Sequence, residues 1–381
     1  MDNALNLTVH LLNPSTCLLL SFLALLFWDS LLLPFFLSLC HPSSSQHLAS
    51  RTVLITGAGR PQGIGYHLAR SFLQAGCHVV LWDIDAEALQ QARQTLQSSV
   101  PPATPSATPS PPTLLSRITT QVVDVSNSLA VQTAATELKA KGIQISVLVN
   151  NAGVVRGKSV TQLTPTHVST TFNVNVLAHF HTLATFLPHM VLNNDGLVVT
   201  MSSMMGMMGG ARLADYCASK WALLGMDESL RMELRRHGSS RHGVRTMVVC
   251  PYMVSTGMFR GAFGNVSSSG SGGERSSGSR SQAGTSLLRR CVQGLRDCLV
   301  PQLTPEQVAA AVVVAAGQRL IPSRWSSCGA HGKVLVLPQR LSVIPAVLRL
   351  LPIGMQEFVI DYGGGTLGME GFVGYQNPKE T

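Results

Sequence analysis

Tyr216 and Lys220 stand four positions apart in Tyr-Cys-Ala-Ser-Lys. Residues i and i+4 of a helix share a face, so a helix through this stretch aims a phenol and an ammonium into one space. A free phenol titrates near 10, and a neighbouring cation favours its anion and lowers that value. A tyrosine tuned in this way takes a proton from an alcohol or gives one to a carbonyl. Ser203, 13 positions before Tyr216, adds a hydroxyl able to hold the substrate oxygen. A Tyr-x-x-x-Lys pair alone equally suits an amphipathic surface helix. A second chemistry-bearing stretch upstream makes it specific.

That stretch is Thr56-Gly57-Ala58-Gly59-Arg60-Pro61-Gln62-Gly63-Ile64-Gly65. Glycines here let backbone N–H groups approach a pyrophosphate at the positive end of a helix. Asp83 follows Gly65 by 18 residues, close to where a carboxylate bonds the adenosine ribose hydroxyls and repels a 2′-phosphate. NAD is thereby favoured over NADP, while Arg60 inside the loop argues for NADP. Asp124-Val125 falls at the adenine end, with a turn or cap as the other reading of the aspartate. Asn150-Asn151-Ala152-Gly153 tolerates the left-handed turns that bring backbone close to a cofactor.

These groups need a scaffold, and the chain's rhythm supplies one. Short β-branched runs alternate with helical stretches: strands at 52–56, 78–82, 118–123, 146–149, 197–201, 244–250 and 333–337, with helices between them. Seven apolar strands separated by helices imply a parallel sheet covered on both faces, the doubly wound α/β (Rossmann) fold. The domain occupies residues 51–340. Surface insertions are expected at the proline-rich 98–116 and the Ser/Gly-rich 264–290.

Ahead of the domain, Leu11 to Cys40 is dominated by Leu and Phe, long enough for a membrane span despite Asp29. Residues 1–50 are accordingly expected to be a hydrophobic membrane anchor. With no Lys or Arg before Arg51, the following domain falls on the cytosolic side. Residues 341–381 form an apolar, proline-broken tail that either docks on the membrane or caps the pocket.

Composition narrows the function classes. The 381 residues are 45% hydrophobic and 12% charged, which excludes a disordered chain. The net charge of +9 comes from dispersed residues without a basic run, so no nucleic-acid partner is expected. The eight cysteines show no zinc-like spacing and read as buried free thiols; no metal site is expected. His179, His181 and His189 have poor metal geometry and read as solvent or dimer-surface residues.

Together, Thr-Gly…Gly-Ile-Gly, Asn-Asn-Ala-Gly, Ser203, Tyr216 and Lys220 resemble the short-chain dehydrogenase/reductase family, in the family's order. The resemblance implies a catalytic tetrad completed by Asn175, which in that family distorts its helix and links the lysine to solvent through a water. It also implies that Pro251, Val254 and Thr256 hold the nicotinamide carboxamide. Leu81-Trp-Asp-Ile84, Asp215-Tyr-Cys-Ala-Ser-Lys220 and Cys250-Pro-Tyr-Met-Val-Ser-Thr-Gly-Met-Phe259 are similar to membrane-bound retinol dehydrogenases of the epidermal type. They are nearly as similar to lipid-droplet 17-beta-hydroxysteroid dehydrogenases. The implied protein is an NAD(P)-dependent oxidoreductase of retinol-like or steroid-like alcohols. It would be a homodimer on the endoplasmic reticulum or a lipid droplet.

Two departures stand out. Five residues, not the family's three, separate Gly57 from Gly63, and Tyr252 replaces a common glycine. Met201, Met204, Met205, Met207 and Met208 around Ser203 suit a lipophilic pocket or plain core filling. The rival reading is a non-catalytic lipid-surface scaffold that lost cofactor binding through the enlarged loop.

Overall fold

The computed structural model describes residues 48–99, 117–237, 243–259, 302–320, 332–338 and 348–356. Residues 1–47 of the expected anchor and the 264–290 insertion lie outside these residues. Among the described residues no helix is long and apolar enough to cross a membrane.

Seven parallel strands form one sheet in the order β3-β2-β1-β4-β5-β6-β7. They are β1 (Thr52–Thr56), β2 (His78–Asp83), β3 (Ile118–Val122), β4 (Val147–Asn150), β5 (Asp195–Met201), β6 (Gly243–Pro251) and β7 (Gly332–Leu337). The order reverses between β1 and β4, and ligands of such sheets bind at the carboxyl ends of the strands flanking that switch. The glycine loop, Asn150 to Gly153, and Ser203 all follow strands at this end.

Both faces are buried because parallel strands present apolar side chains up and down alike. Val53 and Ile55 point into one core cluster with α1 (Ile64–Gln74), α2 (Ala86–Ser99) and α7 (Pro305–Leu320). Leu54 points into the other, with α3 (Ser128–Ala140), α5 (Ala178–Leu192) and α6 (Ala214–His237). The remaining helix, α4 (Pro165–Phe172), opens on a capping box in which Thr164 accepts from the His167 N–H at 3.2 Å. It runs into α5 through a π-helical turn, Asn173–Leu177.

Differences from the sequence reading are small and local. α1 begins at Ile64 rather than near Tyr66, because Gly63 already has the extended conformation of an N-cap. α2 continues through Ser99, two residues into the stretch assigned to the proline-rich insertion. Cys77, Cys217 and Cys250 are buried free thiols; the other five cysteines lie outside the described residues.

Candidate active site

The end of β2 holds the glycine loop in place. The Trp82 carbonyl accepts from the N–H of Gly57 at 2.8 Å and of Ala58 at 3.2 Å. Asp83 Oδ2 accepts from the Gly59 N–H at 2.7 Å, and its Oδ1 from the Asp85 N–H at 3.1 Å. Gly57 has φ +68°, and a Cβ there would lie 2.8 Å from the Ala152 Cα. A Cβ on Gly65 would overlap the Gly57 carbonyl oxygen and lie 2.6 Å from Asn151 Nδ2. The loop and the first turn of α1 thus leave a backbone cradle that side chains would fill, with no side-chain cap on the helix N-terminus. The first turn of α1, which no side chain caps, and the helix dipole suit a pyrophosphate, so these residues fit a dinucleotide.

The two added residues are absorbed locally. The Gly63 N–H donates to the Arg60 carbonyl at 2.9 Å, closing a turn over Arg60 to Gly63. Gly57 and Gly65 still approach closely beside this turn.

Asn151 serves this loop rather than projecting free: its Nδ2 donates to the carbonyls of Thr56 at 2.9 Å and Gly57 at 3.1 Å. Thr56 Oγ1 accepts from the N–H groups of Asn151 and Ala152. Asp124 closes a turn, its Oδ1 accepting from Ser126 N at 2.9 Å and from Ser126 Oγ at 2.7 Å. Val125 beside it is buried, and its carbonyl meets His181 Nδ1 at 3.1 Å. Val254 pairs with Leu303 in an isolated bridge, and the Thr256 N–H donates to the Val254 carbonyl at 2.7 Å, beyond Pro251 at the end of β6.

At the other side of the switch, Ser203, Tyr216, Lys220 and Asn175 are all buried and converge. Ser203 caps a short 3₁₀ turn, its Oγ accepting from the Met205 N–H at 3.1 Å, and it is hydrogen-bonded to the Tyr216 phenol. Lys220 lies with Nζ 5.7 Å from the Tyr216 ring centroid and donates to the Met201 carbonyl at 2.8 Å. Asn175 sits in the π turn. Its Oδ1 accepts from the Val154 N–H at 2.8 Å, and its Nδ2 donates to the Val154 carbonyl and to Ser219 Oγ, each at 3.0 Å. A Cβ on Gly153 would lie 3.4 Å from Asn175 Oδ1 and 3.7 Å from Lys220 Nζ, which puts that glycine beside both groups.

Matching this geometry, residues 51–265 fit the family model for short chain dehydrogenase. The chain belongs to the short-chain dehydrogenase family. Epidermal retinol dehydrogenase 2 of Mus musculus is 30% identical over 329 residues, covering 86% of this chain and 87% of that protein. Retinol dehydrogenase 10 of Rattus norvegicus is 36% identical over 225 residues, 56% of this chain and 64% of that one. A short chain dehydrogenase/reductase from Burkholderia phymatum, solved in complex with NAD, has a TM-score of 0.57 at 25% identity. That match covers 81% of this chain and 96% of the other. As a member of this family the chain is an NAD(P)-dependent oxidoreductase acting on CH–OH groups.

The electrostatics of this dehydrogenase differ in sign from the sequence expectation at one position. Burial pushes the Tyr216 phenol well above its ordinary value, opposed by the Ser203 hydrogen bond. Desolvation of the phenolate outweighs any acidification by the neighbouring ammonium. Burial also brings Lys220 down to about 8, still leaving it mostly charged at neutral pH.

Other expectations divide. Met201 and Met204 are core residues, whereas Met205, Met207 and Met208 are only partly buried. Met205 packs with Val155 against Leu213, Tyr216 and Cys217, giving the phenol an apolar border. His179 is not a surface residue: it is 2% exposed, because its helix turns that face onto the sheet. Sequence reasoning passed over Ser202 and Ser219. Ser202 Oγ donates to the Lys220 carbonyl at 3.0 Å and Ser219 Oγ to the Tyr216 carbonyl at 2.7 Å. Their only sequence signal is adjacency to Ser203 and Lys220.

Proposed function

We propose that the chain interconverts a lipophilic alcohol and its carbonyl, retinol-like substrates leading and steroid-like ones behind, with NAD preferred to NADP. The observation that carries this is the buried Tyr216 phenol, hydrogen-bonded to Ser203 beside the Lys220 ammonium, with Val155, Leu213 and Met205 around it. The names of the retinol dehydrogenase relatives support the substrate class.

The bound dinucleotide supplies or accepts the hydride at its nicotinamide. Gly57, Gly63, Ile64 and Gly65 hold the pyrophosphate. Asp83 takes the adenosine ribose, and Asp124 and Val125 border the adenine. Asn151 shapes the loop, Ala152 and Gly153 line the nicotinamide ribose, and Pro251, Val254 and Thr256 hold the carboxamide. Ser203 orients the substrate oxygen. In oxidation Tyr216 receives the O–H proton as the C–H bond gives up its hydride; in reduction both return. At neutral pH the buried phenol is protonated, ready to donate, and acting as a base requires added positive charge nearby. Lys220 contributes one such charge, and Asn175 holds the turn through which the family's relay water reaches Lys220.

The apolar Leu11 to Cys40 stretch supports attachment to the endoplasmic reticulum or a lipid droplet, with the domain facing the cytosol. A homodimer is supported by exposed large apolar side chains on neighbouring elements, Leu177 in the π turn, Phe180 on α5, and Trp221 and Met232 on α6; light scattering on the detergent-solubilised chain reports it.

The decisive assay offers all-trans-retinol, estradiol and long-chain alcohols with NAD and with NADP. Tyr216→Phe is expected to lower turnover by about 10²–10⁴-fold with NADH binding retained. Undiminished turnover in that variant overturns the mechanism. An intact protein that binds neither NADH nor NADPH at millimolar concentration is instead the lipid-surface scaffold.

A further inference from the structure

Beyond Asn175, buried polar groups without an assigned role gather near Lys220. Asn175 and His179 are four residues apart on one helical run, and both are fully enclosed. Thr182, three residues on, donates to Asn150 Oδ1 at 2.8 Å, which brings the last residue of β4 against the helix beside His179. Thr200 is the register partner of Asn150 on β5, so the two side chains leave the same face of the sheet side by side.

Three atoms of this group are buried without a hydrogen-bond partner among the described residues: His179 Nδ1, Asn150 Nδ2 and Thr200 Oγ1. An unsatisfied buried polar atom costs roughly 1–3 kcal/mol, and three together would consume much of the net stability of an ordinary domain. An amide N–H donates, a hydroxyl does either, and an imidazole nitrogen does either according to tautomer. One or two waters, each making two to four hydrogen bonds, satisfy this set. Burial, and then the charge of Lys220, hold the imidazole neutral, down to about 3. Lys220 Nζ donates at 2.8 Å to the carbonyl of Met201, the residue after Thr200, so the ammonium lies beside this set.

We propose that His179, Asn150 and Thr200 hold a buried water cluster behind the Lys220 ammonium, and that His179 is a positioning residue acting through those waters on Lys220 and so on Tyr216. The cluster is a property of the fold; its effect on turnover rests on the function proposed above.

The first arm of the test needs no turnover. A crystal structure of the full-length protein is expected to show a water about 3 Å from both His179 Nδ1 and Asn150 Nδ2. A dry seam overturns the proposal. The second arm compares His179→Leu, His179→Gln and the isosteric Thr200→Val, using all-trans-retinol with NAD. His179→Leu should lower kcat about tenfold and shift its pH profile, with KM and NADH affinity within about twofold, and His179→Gln should recover most of the loss. Thr200→Val should move kcat in the same direction by less, and it decides this arm if His179→Leu does not fold. Unchanged kcat and pH profile in the folded variants, or no recovery with glutamine, overturns the positioning role. If the wild type turns over none of the alcohols, the proposed function fails while the crystal structure still decides the cluster.

Discussion

Two glycines in one loop should respond very differently to an added methyl. At Gly65 a Cβ overlaps the Gly57 carbonyl oxygen and lies 2.6 Å from Asn151 Nδ2, both part of the pyrophosphate cradle. Neither neighbour is a flexible side-chain tip. Asn151 is tied to two backbone carbonyls, and Gly57 is already held at φ +68° against Ala152. Gly65→Ala must therefore push α1 away from the loop or break the Asn151 ties. Overpacking of this kind costs about 1–3 kcal/mol, or roughly 5- to 150-fold where it falls on binding. Gly63, by contrast, has φ −84°, and its added Cβ meets the Arg60 carbonyl oxygen at 3.2 Å and the Arg60 Cβ at 3.7 Å, with no overlap. NADH titration by tryptophan quenching, paired with thermal melting, separates loss of binding from loss of fold. Gly65→Ala should weaken NADH by at least about fivefold, melt lower, or both; Gly63→Ala should stay within about twofold of wild type. A Gly65→Ala protein that matches wild type in both measurements refutes the close-approach argument.

The remaining predictions use the same assays. Asp83→Asn keeps an acceptor for the Gly59 N–H but removes the charge, so the NADP-to-NAD affinity ratio should rise about tenfold, the effect of roughly 1.4 kcal/mol of charge repulsion. An unchanged ratio assigns cofactor choice elsewhere. Deleting Arg60 and Pro61 removes a turn closed on itself by the Gly63 N–H and the Arg60 carbonyl, so NADH affinity should stay within about threefold; a loss beyond tenfold shows that the turn shapes the site. Lys220 is lowered from 10.5 to about 8 in the fold. Between those values the unfolded chain binds more protons, so wild-type stability should rise with pH from about 8 to 10.5 relative to Lys220→Met. Parallel stability curves for the two proteins across that window would remove the buried-ammonium argument.

Much of this was legible because strand and loop residues carry local signals. Val53, Leu54 and Ile55 read as a strand buried on both sides, and both cores claim them. The glycine loop was legible through its context, a strand before it, a helix after it and Asp83 at the end of the second strand. What sequence left hidden were balances between opposing long-range terms. The Tyr216 phenol lies next to an ammonium, yet burial wins. His179 belongs to an exposed-looking Ala-His-Phe-His run, yet α5 packs its side of the run inward and leaves Phe180 outside. Asn151 lies in a motif that suggests cofactor contact, yet its amide points back to the loop. Each outcome depends on which element lies opposite, and residues 150 to 220 meet across several strands.

The spacing of the candidate catalytic groups has a mechanical basis in that convergence. Lys220 is held at both ends by the strand that carries Ser203: its Nζ donates to the Met201 carbonyl, and its own carbonyl accepts from Ser202 Oγ. Gly206 completes the lock, since a Cβ there would lie 2.7 Å from the Lys220 carbonyl oxygen and 2.8 Å from Ser202 Oγ. Asn175 reaches the same helix through Ser219, whose hydroxyl donates to the Tyr216 carbonyl. β5, the π turn and α6 thus meet through short polar ties made largely to backbone atoms. A phenol and a serine hydroxyl set in this way keep their separation without depending on flexible side-chain contacts. Proton transfer demands this, because a displacement of about 1 Å in a reacting group costs on the order of 10² in rate.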